Sequence, residues 1–353
     1  MEPITHLLTG ACMSRAGLNR RTGLATVTLV LASEASDIDV FYAFRGPVAG
    51  LEHHRGWTHS FVGVPVMAAL TVLVVWGWNR LLNKRRLDPS APMTMGPRRL
   101  PIRWGVLYAI ALLGPLSHIL LDYTTAYGIR MFEPFSYKWV EWDTVSIVEP
   151  FMLIVLILGL ILPSLFGLIN EEIGARQPLF RGRAGAIAAL VALVLMWGVR
   201  DFYHRRAVAA LESRSYQGQD ALRVSAFPYP WNPFVWHGVV ETRDFYQTML
   251  VDLLHGEIDP QGRARTYYKP EQTPVLEAAK KSYLGRVYLD WARYPLITTE
   301  PVEQSDVAYR VRFIDLRYNY PERRRPPLGG SVDLNRNLQV VAQRFGWRVQ
   351  RGP

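Results

Sequence analysis

Apolar residues gather into long uncharged runs over residues 1–199 and break into short alternating stretches thereafter. Four runs, 60–78, 104–121, 150–169 and 184–199, reach or approach the roughly 17 to 25 apolar residues that a helix needs to cross a bilayer. The last is the shortest, and Trp197 with the following Arg200 reads as the interfacial anchor that closes it. Residues 22–32 are apolar but too few to cross alone. With the amphipathic stretch 4–17 they predict a helical hairpin, turned at Gly17-Leu18-Asn19 and entering the membrane partway or tilted against the other helices.

After residue 200 the pattern changes. A helix continues through Ala210, and the segment Phe227-Pro228-Tyr229-Pro230-Trp231-Asn232-Pro233-Phe234 then carries too many prolines for helix. Residues 235–241, 245–253, 309–318 and 338–347 mix alternation with β-branched and aromatic side chains, as half-buried strands do. A short helix fits 274–281, and Arg323-Arg324-Arg325-Pro326-Pro327 reads as an exposed loop. The expected fold is an α-helical multi-pass membrane bundle over residues 1–203, with about four spans plus the N-terminal hairpin. A C-terminal β-rich extramembrane domain follows over 204–353.

Composition alone conceals this division: 49% hydrophobic and 20% charged residues over 353 positions describe an ordinary soluble protein. Yet residues 200–353 carry 23 Lys/Arg and 17 Asp/Glu with no apolar run of comparable length. The single cysteine, Cys12, excludes an intramolecular disulfide and any multi-cysteine zinc site, so a metal here must be held by histidines and carboxylates. A net charge of +10 invites a nucleic-acid reading, but the densest basic cluster, Lys84-Arg85-Arg86 with Arg98, Arg99 and Arg103, lies between two apolar runs. Membrane topology accounts for it, and no nucleic-acid partner is expected.

Loop 79–103 holds seven Lys/Arg against Asp88 and is predicted to be cytoplasmic; loop 170–183, with Arg176, Arg181 and Arg183, returns to the same side. Loops 34–58 and 122–149 are net acidic and are predicted to share the opposite, outer face, with the C-terminal domain. Residues 1–18 lack a basic start followed by an apolar block, so the first helix is expected to remain in the mature protein.

Five of the eight histidines, His6, His53, His54, His59 and His118, fall in the membrane half, and the last four stand beside acidic outward loops. Singly, His6, His53, His204, His237 and His255 read as packed or interfacial residues. In Glu52-His53-His54-Arg55-Gly56-Trp57-Thr58-His59-Ser60, Thr58 is placed to cap the next span and His59 stands at a membrane boundary. His118 and Asp122, four apart, share one helix face inside a span, where ionisable groups are costly and mark function. An imidazole and a carboxylate on one face are a common divalent-metal pair. Asp37 and Asp39 point to the same side of an extended backbone, whereas on a helix they diverge and one of them readily faces a given centre. Asp143 and Glu149 approach from the same side as further ligands or a base.

Taken together, the opening Glu2-Pro3-Ile4-Thr5-His6 with Gly10, the pair Asp37-x-Asp39, His54-Arg55-Gly56-x-Thr58-His59-Ser60, Ser117-His118-x-x-x-Asp122, and Trp142-Asp143 followed by Glu149-Pro150 resemble the YdjM-like inner-membrane metal-dependent hydrolases. The resemblance covers roughly residues 1–200, and its most specific block is the His-Arg-Gly-x-Thr-His-Ser run. It implies a multi-pass inner-membrane hydrolase whose metal-site residues are His6, Asp39, His54, His59, His118 and Asp122, with Asp37 alongside. The chain departs from the pattern at Glu34-Ala35-Ser36, where a proline is expected before the Asp-x-Asp pair, and in its additional His53.

The ligand types suggest one or two divalent ions, zinc foremost with manganese or magnesium as alternatives, at the outward membrane boundary. The expected reaction is hydrolysis of an ester or phosphoester of a membrane lipid or lipid-linked substrate. Asp143, or whichever of Asp37 and Asp39 is not a ligand, would act as base, and Arg55 would neutralise phosphoryl charge. The competing expectations are a non-enzymatic membrane protein with a structural, sensing or transport metal site, and an envelope scaffold.

Overall fold

The computed structural model describes residues 1–86, 100–172, 182–302, 306–321, 328–346 and 348–351. The expected loop 323–327 and Arg98, Arg99, Arg176 and Arg181 lie outside the described residues. The helices are α1 (Pro3–Arg15), α2 (Ala25–Ala32), α3 (Pro47–His53), α4 (Gly63–Arg86), α5 (Trp104–Ala111), α6 (Leu113–Tyr123), α7 (Pro150–Glu172), α8 (Arg183–Glu212), α9 (Pro274–Lys281) and α10 (Tyr283–Trp291). The strands are β1 (Arg223–Pro228), β2 (Val235–Glu241), β3 (Phe245–Asp252), β4 (Glu257–Ile258), β5 (Arg265–Tyr268), β6 (Pro295–Pro301), β7 (Tyr309–Asp315), β8 (Gly330–Leu334), β9 (Val340–Phe345) and β10 (Arg348–Arg351). They form two compact units, the first holding residues 1–38, 55–142 and 147–199 and the second 39–54, 143–146 and 200–353.

In the first unit, α1 and α2 make the N-terminal hairpin. Glu2 caps α1 by accepting the Thr5 amide at 2.8 Å, and Pro3 sits in the first turn, where its missing N–H leaves nothing unpaired. The two helices cross so closely at Gly10 that a Cβ there would stand 2.8 Å from the Leu29 carbonyl oxygen. Gly114 does the same for α6 against α2: a Cβ would lie 2.4 Å from that of Ala32. Small residues thus set the spacing of the bundle, as they do wherever helices pack without a hydrophobic driving force between them.

Among the described residues, three helical stretches are long and apolar enough to cross a membrane: Gly63–Leu82, Trp104–Tyr123 (α5 and α6 joined at Leu112) and Arg183–Glu212. The run expected at 150–169 forms α7, of which Pro150–Pro163 is a shorter apolar helix. Leu73, Val74, Val194 and Leu195 are each more than half exposed on these helices. An apolar surface of that extent suits hydrocarbon and not water.

The second unit contains two antiparallel sheets. In one, β1 to β4 follow in sequence and β5 pairs with β3; in the other the order is β10-β9-β8-β7-β6. Trp236, Val240, Phe245 and Met249 of the first sheet bury Ala207 and Leu211 at the end of α8. Helices α9 and α10 are capped by Thr273 and Ser282, whose side chains accept the Leu276 and Gly285 amides, and α10 packs on β8, β9 and α3. The strand expected over 309–318 ends at Asp315. Its carboxylate accepts the Arg317 amide at 3.0 Å and pairs with the Arg317 guanidinium at 2.8 Å, turning residues 316–318 into a 3-10 turn.

Candidate metal centre

Three segments bring ionisable side chains of the first unit together. His118 and Asp122, one turn apart on α6, face the same way because residues four apart share a helix side. His59 ends the short 3-10 turn Trp57–His59 that precedes α4. The cap on α4 comes from Ser60, whose hydroxyl accepts the Gly63 amide at 3.1 Å. Thr58, the expected cap, instead places its hydroxyl 3.0 Å from His59 Nδ1. Asp37 lies in the 3-10 segment that follows α2.

One ligand atom from each of Asp37, His59, His118 and Asp122 lies within 4.8 Å of all the others. The two imidazole Nε2 atoms face each other at 3.1 Å. Asp37 Oδ1 is 3.3 Å from His59 Nε2 and 3.4 Å from His118 Nε2; Asp122 Oδ2 is 3.4 and 3.5 Å from the same atoms. His59, His118 and Asp122 are buried, and the Asp37 side chain is about a quarter exposed.

The residues fit a divalent cation. His118 Nδ1 lies 2.6 Å from the Ser33 carbonyl oxygen, which can only accept, so Nδ1 carries the proton and Nε2 presents its lone pair to the centre. Buried His6 stacks on His118 with ring centroids 3.7 Å apart, and both its nitrogens lack a hydrogen bond, as does Asp122 Oδ2. Buried polar atoms are nearly always satisfied, and this many orphans around one point is what a bound cation would resolve. His6 Nε2 is 3.5 Å from Asp122 Oδ1.

Arg55 does not face the centre alone. Its buried guanidinium holds Asp122 Oδ1 at 2.9 Å and donates to Thr125 Oγ1 at 3.1 Å, with the Tyr127 ring 4.6 Å away. The residue adopts φ +58°, an uncommon left-handed backbone for a side chain of this size. The Met1 amino group also lies against Asp122 Oδ1. Asp39 and His54, both in the second unit, bond to each other at 2.9 Å. Asp143, also there, forms a 2.7 Å ion pair with Arg293, and exposed His53 lies 3.6 Å from Glu52.

The sequence reading missed Glu34, to which His118, Asp37, Glu2 and Asp122 are all electrostatically coupled. Burial pushes its carboxyl up to about 7; His118 opposes the shift, and Asp37, Glu2 and Asp122 reinforce it. Burial acts to raise the Asp37 carboxyl too, but the His118 and His59 rings beside it hold it well below the ordinary carboxylate range. Nothing in the spacing marks Glu34, because its place depends on how α2 ends.

The profile described as YdjM inner membrane protein matches residues 1–207, and that of the YfhP C-terminal alpha/beta plait domain matches residues 274–351. The uncharacterized protein YfhP of Bacillus subtilis (strain 168) is 23% identical over 326 residues, covering 91% of this chain and 85% of that protein. No solved structure matches. A match over more than half the chain, on the segment that holds the His/Asp cluster, places this protein in the YdjM inner membrane protein family.

Proposed function

We propose that this protein is a membrane-bound metal-dependent hydrolase acting on an ester or phosphoester of a lipid or lipid-linked substrate. The observation that carries the reading is the convergence of Asp37, His59, His118 and Asp122 within 4.8 Å at one end of apolar helices. Two imidazoles and two carboxylates suit zinc, with manganese and magnesium as alternatives. A divalent cation held there would supply Lewis-acid chemistry, lowering the pKa of water and polarising the scissile group.

The protein's own residues divide the remaining work. Ser33 and Thr58 fix the rings of His118 and His59, and Arg55 orients Asp122 and balances its charge. Buried His6, its Nε2 3.5 Å from Asp122 Oδ1, is the reserve ligand. Glu34, half-way protonated near neutral pH, is suited to accept a proton from water and return it to the leaving group. Asp143, committed to Arg293, is not given the role of base. The substrate class follows from depth: ligands at the ends of apolar helices meet a head group already held at the membrane surface. The charge asymmetry of the loops supports an outward-facing centre, with residues 204–353 on the periplasmic side.

The test is metal content of detergent-purified protein beside His59→Ala and His118→Ala variants, followed by turnover of phospholipid and polyprenyl phosphoesters. Stoichiometric metal and turnover, both lost in the variants, are expected. Bound metal without turnover across the panel would leave a structural or sensing site and overturn the hydrolase reading.

A further inference from the structure

At the opposite end of α1 from His6, the first unit carries a groove of about 680 Å³ that the metal centre does not use. Nine residues of α1, about 14 Å of helix, separate His6 from Arg15 at the helix end. The groove is lined by Arg20 and Arg21 from the hairpin turn and by Arg183 from the first turn of α8, together with Leu18, Leu113 and Leu190. Among the described residues, no acidic side chain lines it. All three arginine side chains are exposed, and Arg183 donates its Nε to the Ala16 carbonyl at 2.9 Å, which fixes the guanidinium beside the turn. The start of α8 adds the positive end of a 30-residue helix.

A second groove of about 530 Å³ begins at Gly182 and Ala184, on either side of Arg183, and runs between α7 and α8 past Gly159 and Ala189. Its walls are almost wholly apolar.

We propose that this end of the bundle binds an anionic phospholipid, with the phosphate on Arg20, Arg21 and Arg183 and an acyl chain in the groove between α7 and α8. Guanidinium groups grip phosphate oxygens in pairs, and basic pockets between membrane helices are where anionic head groups settle. General topological charge would explain arginines on this face. It would not explain three of them lining one cavity beside a slot of acyl-chain character. The lipid would brace the hairpin against α8 at the far end from the metal centre, so the site does not depend on the hydrolase reading.

The experiment is thermal unfolding and native mass spectrometry of the full chain in neutral detergent, titrated with dioleoylphosphatidylglycerol, dioleoylphosphatidylcholine or inorganic phosphate. Phosphatidylglycerol is expected to raise the unfolding temperature and remain bound, phosphatidylcholine to do neither, and phosphate alone to have little effect. Arg21→Gln/Arg183→Gln should weaken phosphatidylglycerol binding roughly tenfold or more. The variant should keep the metal content of the parent, which shows that it is folded. Arg21→Lys/Arg183→Lys should retain part of the affinity. Equal stabilisation by phosphatidylcholine, undiminished binding in the glutamine variant, or a full effect from phosphate alone would each overturn the proposal, the last by showing a free-anion site.

Discussion

His118 and the Ser33 carbonyl, 85 residues apart, are joined by a 2.6 Å hydrogen bond that decides which imidazole nitrogen faces the His/Asp cluster. The bond ties α6 to the end of α2 and turns His118 Nε2 toward His59 Nε2 at 3.1 Å. It is possible because Gly114, one turn earlier on α6, lets the helix approach Ala32 and Ser33. The close packing of two backbones thus sets the tautomer and direction of a candidate ligand.

Gly114→Ala tests that chain of dependence. The added Cβ would meet the Ala32 Cβ at 2.4 Å and push α6 off α2, an overpacking penalty of about 1–3 kcal/mol. A lower unfolding temperature together with weaker metal retention is expected; unchanged metal affinity would show that the His118–Ser33 bond does not position the ligand.

Arg55→Ala should be among the most damaging single changes in the first unit. It strips Asp122 of a buried partner at 2.9 Å, and breaking such a pair costs about 3–5 kcal/mol. Arg55→Lys keeps the charge but loses the fork that reaches both Asp122 and Thr125, so it should recover stability only in part. Thermal unfolding of both variants, with and without added zinc, measures this.

Asp143→Asn separates the two roles open to that residue. Because the carboxylate is engaged by Arg293 at 2.7 Å, the substitution should lower the stability of the second unit, seen as faster proteolysis, while metal content stays at the parental level. Loss of metal in Asp143→Asn would return it to the ligand set.

Glu34 gives a pH signature in chelator-treated protein. Its carboxyl is raised to about 7 in the folded chain, so folding takes up a proton that the unfolded chain, near its ordinary 4.5, releases. The stability cost is therefore absent below the unfolded value and complete above about pH 7. Glu34→Gln should raise the unfolding temperature at pH 8 and match the parent near pH 4.5. Equal unfolding temperatures at both pH values would show that the carboxyl is not held up.

In the second unit, Asp333 is buried between Arg310 at 2.7 Å and Arg344 at 2.5 Å. Burial acts to raise its carboxyl, yet the hydrogen bonds from Arg310 and Arg344 hold it low. The stability it contributes is present above the ordinary carboxylate range and is lost as pH falls through the lowered folded value. Asp333→Asn should therefore destabilise the parent at pH 7 and differ less from it in strong acid, as judged by protease resistance of the C-terminal unit.

The sequence by itself determined the elements that rest on local periodicity. Uncharged runs became the helices of the first unit, and the stretch 274–281 became α9 because Thr273 caps it and its apolar positions recur at helical spacing. The blocks containing His59, His118 and Asp122 were legible because ionisable residues at the edge of apolar runs are costly and stand out. Only the tertiary structure decided how the Asp37-x-Asp39 pair divides. Asp37 lies beside His59 and His118, and Asp39 bonds His54. The same holds for Ser33, Glu34 and Arg55, whose parts depend on where α2 stops and how near α6 comes. Spacing along the chain fixes which residues share a face, but which faces meet is set by packing across intervals as long as the 85 residues between Ser33 and His118.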